Sequence, residues 1–335
     1  MLDLSIIIVN WHSVEYLRKC LASIYENTTD VTFEVVVVDN ASQDGCSEML
    51  AREFHLVRFI QSLQNLGFSG GNNLGFRYSS GRNILCLNPD TEVVGPALTR
   101  MIQFLDTHAD AGIVGAKLLA SDGSIDTSCI RRFPTVLNQA VDADYLRGCL
   151  PAWRFWGFHP LVEKSEGATS VEVVSGACLM IRRSVFEHVG LFDECYFMYA
   201  EDDDLCFKVS KVGWRNYYLG NAVVVHHGSK SARGASRDNF SAVMMRESLE
   251  LFFAKHRGRI YARMYRLIMA CVASGRILLL VATILLTLGS YRRETLRGSL
   301  RKWVRVCRWS LGLEKWVERV SSQRSPCHDP VTFVE

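Results

Sequence analysis

The sequence predicts an α/β fold, with a mostly parallel sheet flanked by helices and a helical appendage at the C-terminal end. Three observations carry this. First, apolar, β-branched runs stop abruptly at polar residues: Ser5–Val9 at Asn10, Val35–Val38 at Asp39, and Ile84–Leu87 at Asn88-Pro89-Asp90. Such runs read as parallel strands buried on both faces. Second, the stretches between them show helical spacing, as in Val14, Leu17, Leu21 and Ile24. Third, residues 267–288 are uncharged except for Arg276 and are followed by an arginine-studded amphipathic stretch.

The elements follow in order. Residues 4–10 form the first strand and Val14 to Tyr25 a helix. Residues 33–39 form the second strand, Ala41 to Gly45 a turn, and Ser47 to Phe54 a helix. A third strand is expected at 56–61. A helix at Asn72 to Ser79 is entered through Gly70-Gly71. A strand at 83–87, a helix at 96–108 and a strand at 112–119 complete a βαβα alternation, which implies a sheet covered on both faces. Between 120 and 170 the pattern dissolves. Trp153, Phe155, Trp156 and Phe158 cluster there, either lining an acceptor site or forming a small core under a long loop. Regular structure returns at 171–181, then a helix at 183–189 and a last strand at 223–225.

Composition narrows the function. The chain has 335 residues and a formal net charge of +3, which gives no reason to expect a nucleic-acid partner. The charge is uneven. Residues 256–335 hold 15 Lys+Arg and 5 Asp+Glu, so +10, leaving −7 for the rest. An acidic front and a basic rear divide the chain into a catalytic domain, 1–255, and a C-terminal region, 256–335. The 11 cysteines lack paired metal-type spacing and read as free thiols. No charged n-region and apolar h-region opens the chain, so the catalytic part is expected in the cytoplasm.

Open α/β sheets bind ligands at the carboxyl ends of their strands. Asn10, Asp39 and Asp90 are delivered there. Asp39 either accepts the imide N–H of a pyrimidine base or caps a following helix. Asp90, placed after a proline that ends the strand, suits a hard cation such as Mg²⁺ or Mn²⁺; its alternative is a turn aspartate. Asn65 to Asn73 form a glycine-rich loop entering a helix, able to hold an anion on backbone amides. Glu201-Asp202-Asp203-Asp204 lie between apolar triplets, which turns them inward, where a carboxylate can serve as general base. His226 or His227 can complete a metal site.

Taken together, Asn65-Leu66-Gly67-Phe68, Asn88-Pro89-Asp90-Thr91, Ser175-Gly176-Ala177, Gly190-Leu191-Phe192-Asp193-Glu194 and Glu201-Asp202-Asp203-Asp204-Leu205-Cys206 resemble the rhamnosyltransferase-type members of glycosyltransferase family 2. The resemblance covers about residues 3–231. It implies a GT-A fold, Rossmann-like, and inverting transfer of a sugar from a nucleoside diphosphate to a hydroxyl. It implies Asp202 as the base and Val9, Asn10, Asp39, Asn65, Gly67, Asn73 and Asn88 around the donor. It assigns Asp90 and His226 to an Mg²⁺ or Mn²⁺ ion, and Glu201, Trp153 and Trp156 to the acceptor side. The usual Asp-x-Asp is here Asn88-Pro89-Asp90, so the first position is neutral; His12 also departs from the pattern. The implied partners are dTDP-rhamnose or a UDP-sugar and a glycan or lipid-linked acceptor. Two rivals stand beside this. A nucleotidyltransferase would place a basic glycine-rich loop after the first strand, where Asn10-Trp11-His12-Ser13 stand instead. A non-catalytic membrane scaffold would have lost Asp90, Asp202 or His226.

The tail predicts membrane association, the alternative being a helical hairpin packed onto the catalytic domain or a partner subunit. About 20 apolar residues span a bilayer, but basic residues flank 267–288 on both sides, which favours a monotopic or re-entrant attachment over a single span. Trp303 and Trp309 are expected as interfacial anchors in a basic amphipathic helix. The expected location is the cytoplasmic face of the inner membrane.

Overall fold

The computed structural model describes residues 2–141, 167–228, 235–286, 293–314 and 331–332. A ten-stranded sheet has the order β12-β3-β2-β1-β4-β10-β6-β11-β5, with β8 paired to β11. Its strands are β1 (Leu4–Asn10), β2 (Phe33–Asp39), β3 (Arg58–Ser62), β4 (Asn83–Leu87), β5 (Thr91–Val94), β6 (Ala111–Leu119), β8 (Ala168–Val171), β10 (Cys178–Arg182), β11 (Arg215–His226) and β12 (Val331–Thr332). A two-stranded ribbon pairs β7 (Ile130–Arg131) with β9 (Val173–Val174).

The block β3-β2-β1-β4 is parallel throughout, whereas β10 inserts antiparallel between β4 and β6. Ile6, Ile7 and Ile8 in β1 and Val36, Val37 and Val38 in β2 are fully buried, as a strand covered on both faces requires. In-register pairing sets Asn10 beside Asp39 at the carboxyl edge. The helices of this half are α1 (Val14–Asn27), α2 (Cys46–Glu53), α3 (Gly67–Arg77), α4 (Ala97–Thr107), α5 (Val136–Val141), α6 (Arg183–His188) and α7 (Glu201–Lys211).

Two boundaries differ from expectation. The helix expected from Asn72 begins at Gly67, because Gly71 and Gly75 let α3 lie directly on β1. A Cβ on Gly75 would meet Ile7 at 2.5 Å. The glycines that read as a loop are thus packing positions inside a helix. The last strand runs from Arg215 rather than Val223, since its first half pairs with β6 and β8.

The rear half is a helical cluster of α8 (Ala235–His256), α9 (Arg259–Leu286) and α10 (Arg293–Ser310). Ala262, Tyr265, Met269 and Ala273 make one buried stripe on α9, meeting Trp303, Val306 and Trp309 of α10 and Val243, Phe252 and Phe253 of α8. The interfacial role expected for Trp303 and Trp309 is therefore corrected. They are 8% and 1% exposed, because the apolar stripe of α10 faces α9. Arg276 stacks its guanidinium 4.2 Å from the Trp303 ring centroid, a cation–π contact that explains one charge in an otherwise apolar segment.

Candidate active site

Four groups of side chains meet at the carboxyl edge of the sheet. The floor is Asn10 and Asp39. Asn10 donates from Nδ2 to Asp39 Oδ1 at 2.8 Å, and Asp39 Oδ2 accepts from the Ser42 amide at 3.1 Å and Gln61 Nε2 at 2.8 Å. The Ser42 hydroxyl also donates to Asp39 Oδ1. Asp39 is 1% exposed and stabilises the turn at 39–42 rather than a helix end. Asp44 instead accepts the Val14 amide at 3.1 Å and so satisfies a free donor at the start of α1.

The second group is the entry to α3. Asn40 Nδ2 donates to the Gly67 carbonyl at 2.9 Å, Asn65 Oδ1 accepts the Gly67 amide at 2.9 Å, and the Phe68 amide donates to the Phe197 carbonyl at 2.9 Å. Gly67 has φ +71, and any Cβ there would collide with the Phe197 backbone. This contact joins the β2–α3 region to the segment leading into α7. Asn73, in contrast, turns away from the crevice. Its side-chain amide donates to the Phe192 carbonyl at 2.9 Å and to Glu194 at 3.0 Å, so it braces α3 against the 190–194 turn.

The third group is the corner that holds Asp90 and His226. Asp90 follows β4, and β5–β11 pairing sets Thr91 opposite His226. His226 Nε2 lies 3.5 Å from Asp90 Oδ1, and its Nδ1 lies 3.4 Å from Asp126 Oδ2. Burial alone would depress the imidazole's pKa, but hydrogen bonds to Asp126 and Asp90 outweigh it and raise His226 to about 9. Burial would raise Asp126, and its bonds to His226 and Ser128 bring it down to about 2. His227 points elsewhere: Nε2 meets Glu92 at 2.7 Å and Nδ1 meets Ser121 at 2.9 Å. His226, not His227, is the histidine beside Asp90.

Oxygen and nitrogen donors sharing a small divalent ion sit roughly 3 Å apart when cis. The 3.5 Å spacing of Asp90 Oδ1 and His226 Nε2 fits a shared divalent ion, and a hard carboxylate oxygen beside a borderline imidazole nitrogen favours Mn²⁺ over Mg²⁺. Asn88 contributes no charge. Its amide donates to the Ala177 carbonyl at 3.0 Å, fixing the Asn88-Pro89-Asp90 turn against β10.

The fourth group is the first turn of α7. The acidic run is helical, not a loop, and Glu201, Asp202 and Asp203 are each 7% exposed. Tyr199 and Ala200 hold φ of +69 and +61 immediately before it. Two successive non-glycine residues in this region store strain of about 1–3 kcal/mol each, as functional turns do. Asp202 Oδ2 accepts the Gly176 amide at 3.0 Å and pairs with Arg131 Nη2 at 2.6 Å, while Oδ1 accepts the Asp203 amide at 2.9 Å. A carboxylate offers about four acceptor sites, so one remains for an incoming hydroxyl. Arg131 also lies 3.5 Å from Asp203. Burial, with the neighbouring Asp202 charge, pushes Glu201 well above the usual carboxylate range. Burial likewise raises Asp203, against the opposing pull of Arg131. Glu201 Oε2 is a buried oxygen without a hydrogen-bond partner among the described residues.

The structure thus gathers Asn10, Asp39, Asn65, Gly67, Asn88, Asp90, His226, Glu201 and Asp202 around one edge. Val9, the last apolar residue of β1, packs under Gly71 of α3. Trp153 and Trp156 lie outside the described residues. Sequence reasoning missed Asp126 and Arg131. Asp126 follows the Asp122-Gly123-Ser124 turn, and Arg131 sits in an Arg-Arg pair before Phe133-Pro134, both inside the stretch without periodicity.

The chain is similar to known proteins in sequence and in fold. The family described as Glycosyl transferase family 2 matches residues 5–190. A low-salt glycan biosynthesis hexosyltransferase, Agl10, from Haloferax volcanii is 31% identical over 67% of this chain and 66% of its own length. The chain thus spans just under two thirds of that relative. An N-acetylglucosaminyl-diphospho-decaprenol L-rhamnosyltransferase from Mycobacterium tuberculosis is 29% identical, covering 68% of this chain and 77% of its own. Among solved structures, the mannosyltransferase PcManGT from Pyrobaculum calidifontis, in complex with GDP-Man and Mn²⁺, superposes with a TM-score of 0.57 at 18% identity, over 93% of this chain and 89% of its own. That likeness establishes a shared fold.

Proposed function

The chain belongs to glycosyltransferase family 2, and from that premise we propose an inverting, metal-dependent hexosyltransferase of cell-surface polysaccharide synthesis. The donor is a nucleoside-diphosphate sugar, dTDP-rhamnose or a UDP-sugar, and the acceptor a hydroxyl on a glycan or lipid-linked glycan. The activity named for the mycobacterial relative supports the rhamnosyl donor and the lipid-linked acceptor. One observation carries the reading: a carboxylate with an open acceptor site, Asp202, stands at the same sheet edge as the Asp90–His226 pair.

Asp202 takes the proton from the acceptor hydroxyl, held in place by the Gly176 amide and Arg131. The freed oxygen attacks the anomeric carbon from the face opposite the diphosphate, and a single displacement inverts it. Glu201, with its unpartnered oxygen, receives acceptor hydroxyls beside the base. Asn10 and Asp39 form the wall against which the nucleoside rests, and the Asn65–Gly67 turn borders the donor. Asp90 and His226 hold the divalent ion, which when bound neutralises charge growing on the leaving diphosphate.

The tail supports attachment to the cytoplasmic face of the membrane. α9 is long and apolar enough to cross a bilayer, yet one face is covered by α8 and α10. Its other face exposes Leu278 (71%), Leu285 (69%) and Leu286 (86%). A helix packed along one side and bare along the other suits monotopic insertion. The catalytic reading is tested by chelation. Removing divalent ions from full-length protein abolishes sugar transfer, and Mg²⁺ or Mn²⁺ restores it. Full transfer in excess chelator, or retention of the anomeric configuration in the product, overturns it.

A further inference from the structure

His226 has two ring nitrogens, and they face different carboxylates. Nε2 looks toward Asp90 and Nδ1 toward Asp126. Asp126 is itself clamped. Its Oδ1 accepts the Ser128 amide at 2.9 Å and the Ser128 hydroxyl at 2.6 Å, and its own amide donates to the Leu118 carbonyl at 2.9 Å. Only Oδ2 is left for the imidazole. Asp126 stands on the far side of the ring from Asp90, so it is not a third donor to an ion shared by Asp90 and Nε2.

We propose that Asp126 is a positioning residue that fixes the tautomer and orientation of His226, so that Nε2 is presented as a ligand beside Asp90. The inference rests on the metal reading above. A carboxylate that accepts Nδ1–H leaves Nε2 as the nitrogen that exchanges its proton for a metal, and makes the ring more basic as a ligand. This chain has particular use for such a device. Asn88 stands where a second acidic residue would add charge to the metal corner, and a carboxylate behind the imidazole returns some of that charge through the ring. His227 shows the contrast. It lies one residue on, has Glu92 on Nε2 and Ser121 on Nδ1, and so has no nitrogen to give.

The experiment is a titration of metal-free, full-length protein with Mn²⁺ alone, free ion being read by electron paramagnetic resonance. Outer partners of this kind are worth about 10–100-fold in metal affinity, so Asp126→Asn should weaken Mn²⁺ binding by that factor. An asparagine cannot accept from both Ser128 and His226 while turning its NH₂ toward neither. Glu92→Gln, which disturbs only His227, should leave Mn²⁺ affinity unchanged. Asp126→Asn should also melt lower in chelator, because its pairing with His226 stabilises the fold, so Mn²⁺ affinity is compared at a temperature where both proteins are folded. Should Asp126→Asn fail to fold, Ser128→Ala removes the hydroxyl bond to Oδ1, keeps the backbone amide bond and loosens Asp126, and should show a smaller loss in the same direction. If wild type binds Mn²⁺ and neither Asp126→Asn nor Ser128→Ala binds it less tightly, or if Glu92→Gln loses as much, the inference is wrong and the metal reading survives. If wild type itself does not bind Mn²⁺, the metal reading falls and this one with it.

Discussion

The sheet half and the helical half of this molecule meet on one turn of α7, and four adjacent carboxylates divide between them. Glu201, Asp202 and Asp203 face the sheet edge, where Arg131 is the nearby cation recorded for Asp202 and Asp203. Asp204, fully buried, faces the helical cluster. It receives Lys255 Nζ at 2.9 Å, His256 Nε2 at 2.6 Å and the Tyr196 hydroxyl at 3.2 Å, with Lys208 Nζ at 3.4 Å. Burial would raise its pKa, but His256 and the two lysines hold it down at about 2. Similar residues at similar depth thus differ in electrostatics. On the sheet side, burial raises Glu201 and Asp203 above the usual carboxylate range. The helical side brings three donors onto one oxygen of an acid, Asp204 Oδ1, with Lys208 near the other, and makes it a fastener.

The sharpest way to break this contrast is at the base. Asp202→Asn keeps shape and loses basicity. Turnover should fall by about 10²–10⁴-fold, with donor affinity and melting temperature nearly unchanged. If Asp203→Asn or Glu201→Gln proves the crippling change instead, the division of labour on the sheet side is misassigned.

The matching change on the helical side has the opposite signature. Asp204→Asn takes the shared anion from Lys208, Lys255 and His256, and because Lys255 keeps Asp193 and Lys208 keeps the Leu191 carbonyl, the loss should fall at or below the low end of the about 3–5 kcal/mol range for broken buried pairs, read as a lower urea midpoint. Turnover per folded molecule should stay near wild type. The pH dependence follows from the sign of the shift. A carboxylate with a depressed folded pKa stabilises the protein above its unfolded value of 3.8, and that contribution disappears as pH falls towards about 2. Wild type should therefore lose stability between those values more steeply than Asp204→Asn. Equal slopes would show that Asp204 is not the fastener. The same network bears on the division at residue 255, because Lys255 and His256 both lie on Asp204. A chain ended before them surrenders the joint.

Much of this was legible in the sequence, for a physical reason. Parallel strands buried on both faces leave unmistakable apolar runs, and their polar stops mark the ligand edge, so Asn10, Asp39 and Asp90 could be placed from local pattern. The inward turn of the acidic run was readable from its apolar flanks. What was not legible depended on partners distant in the chain. Arg131 reaches Asp202 from 71 positions away in sequence, and Asp126 reaches His226 from 100, each out of a stretch with no periodicity. Glycines misled about α3 because Gly71 and Gly75 serve close packing, which looks like a loop until Ile7 and Val9 are seen beneath them. Trp303 and Trp309 misled because an aromatic on a basic helix suits a bilayer surface and a helix partner equally. Only the burial of Tyr265 against Trp309 separates the two.

The smallest effects are expected at the outer face of the helical half. With its tryptophans turned inward, α10 offers Arg297, Arg301, Lys302 and Arg308 to solvent, beside the bare leucines of α9. A basic residue near an anionic bilayer contributes about 1 kcal/mol, close to 5-fold in binding. Arg297→Gln and Arg301→Gln should each weaken sedimentation with phosphatidylserine-containing vesicles by about that factor, and together by the product. Raised salt should mimic them, because the attraction is screened within a Debye length. Donor hydrolysis in solution should not change, since neither arginine approaches the sheet edge. Vesicle binding that ignores both charges and salt would mean the leucine face alone docks. A full-length chain that stays monomeric without lipid or detergent would mean the helical half fastens to nothing beyond Asp204.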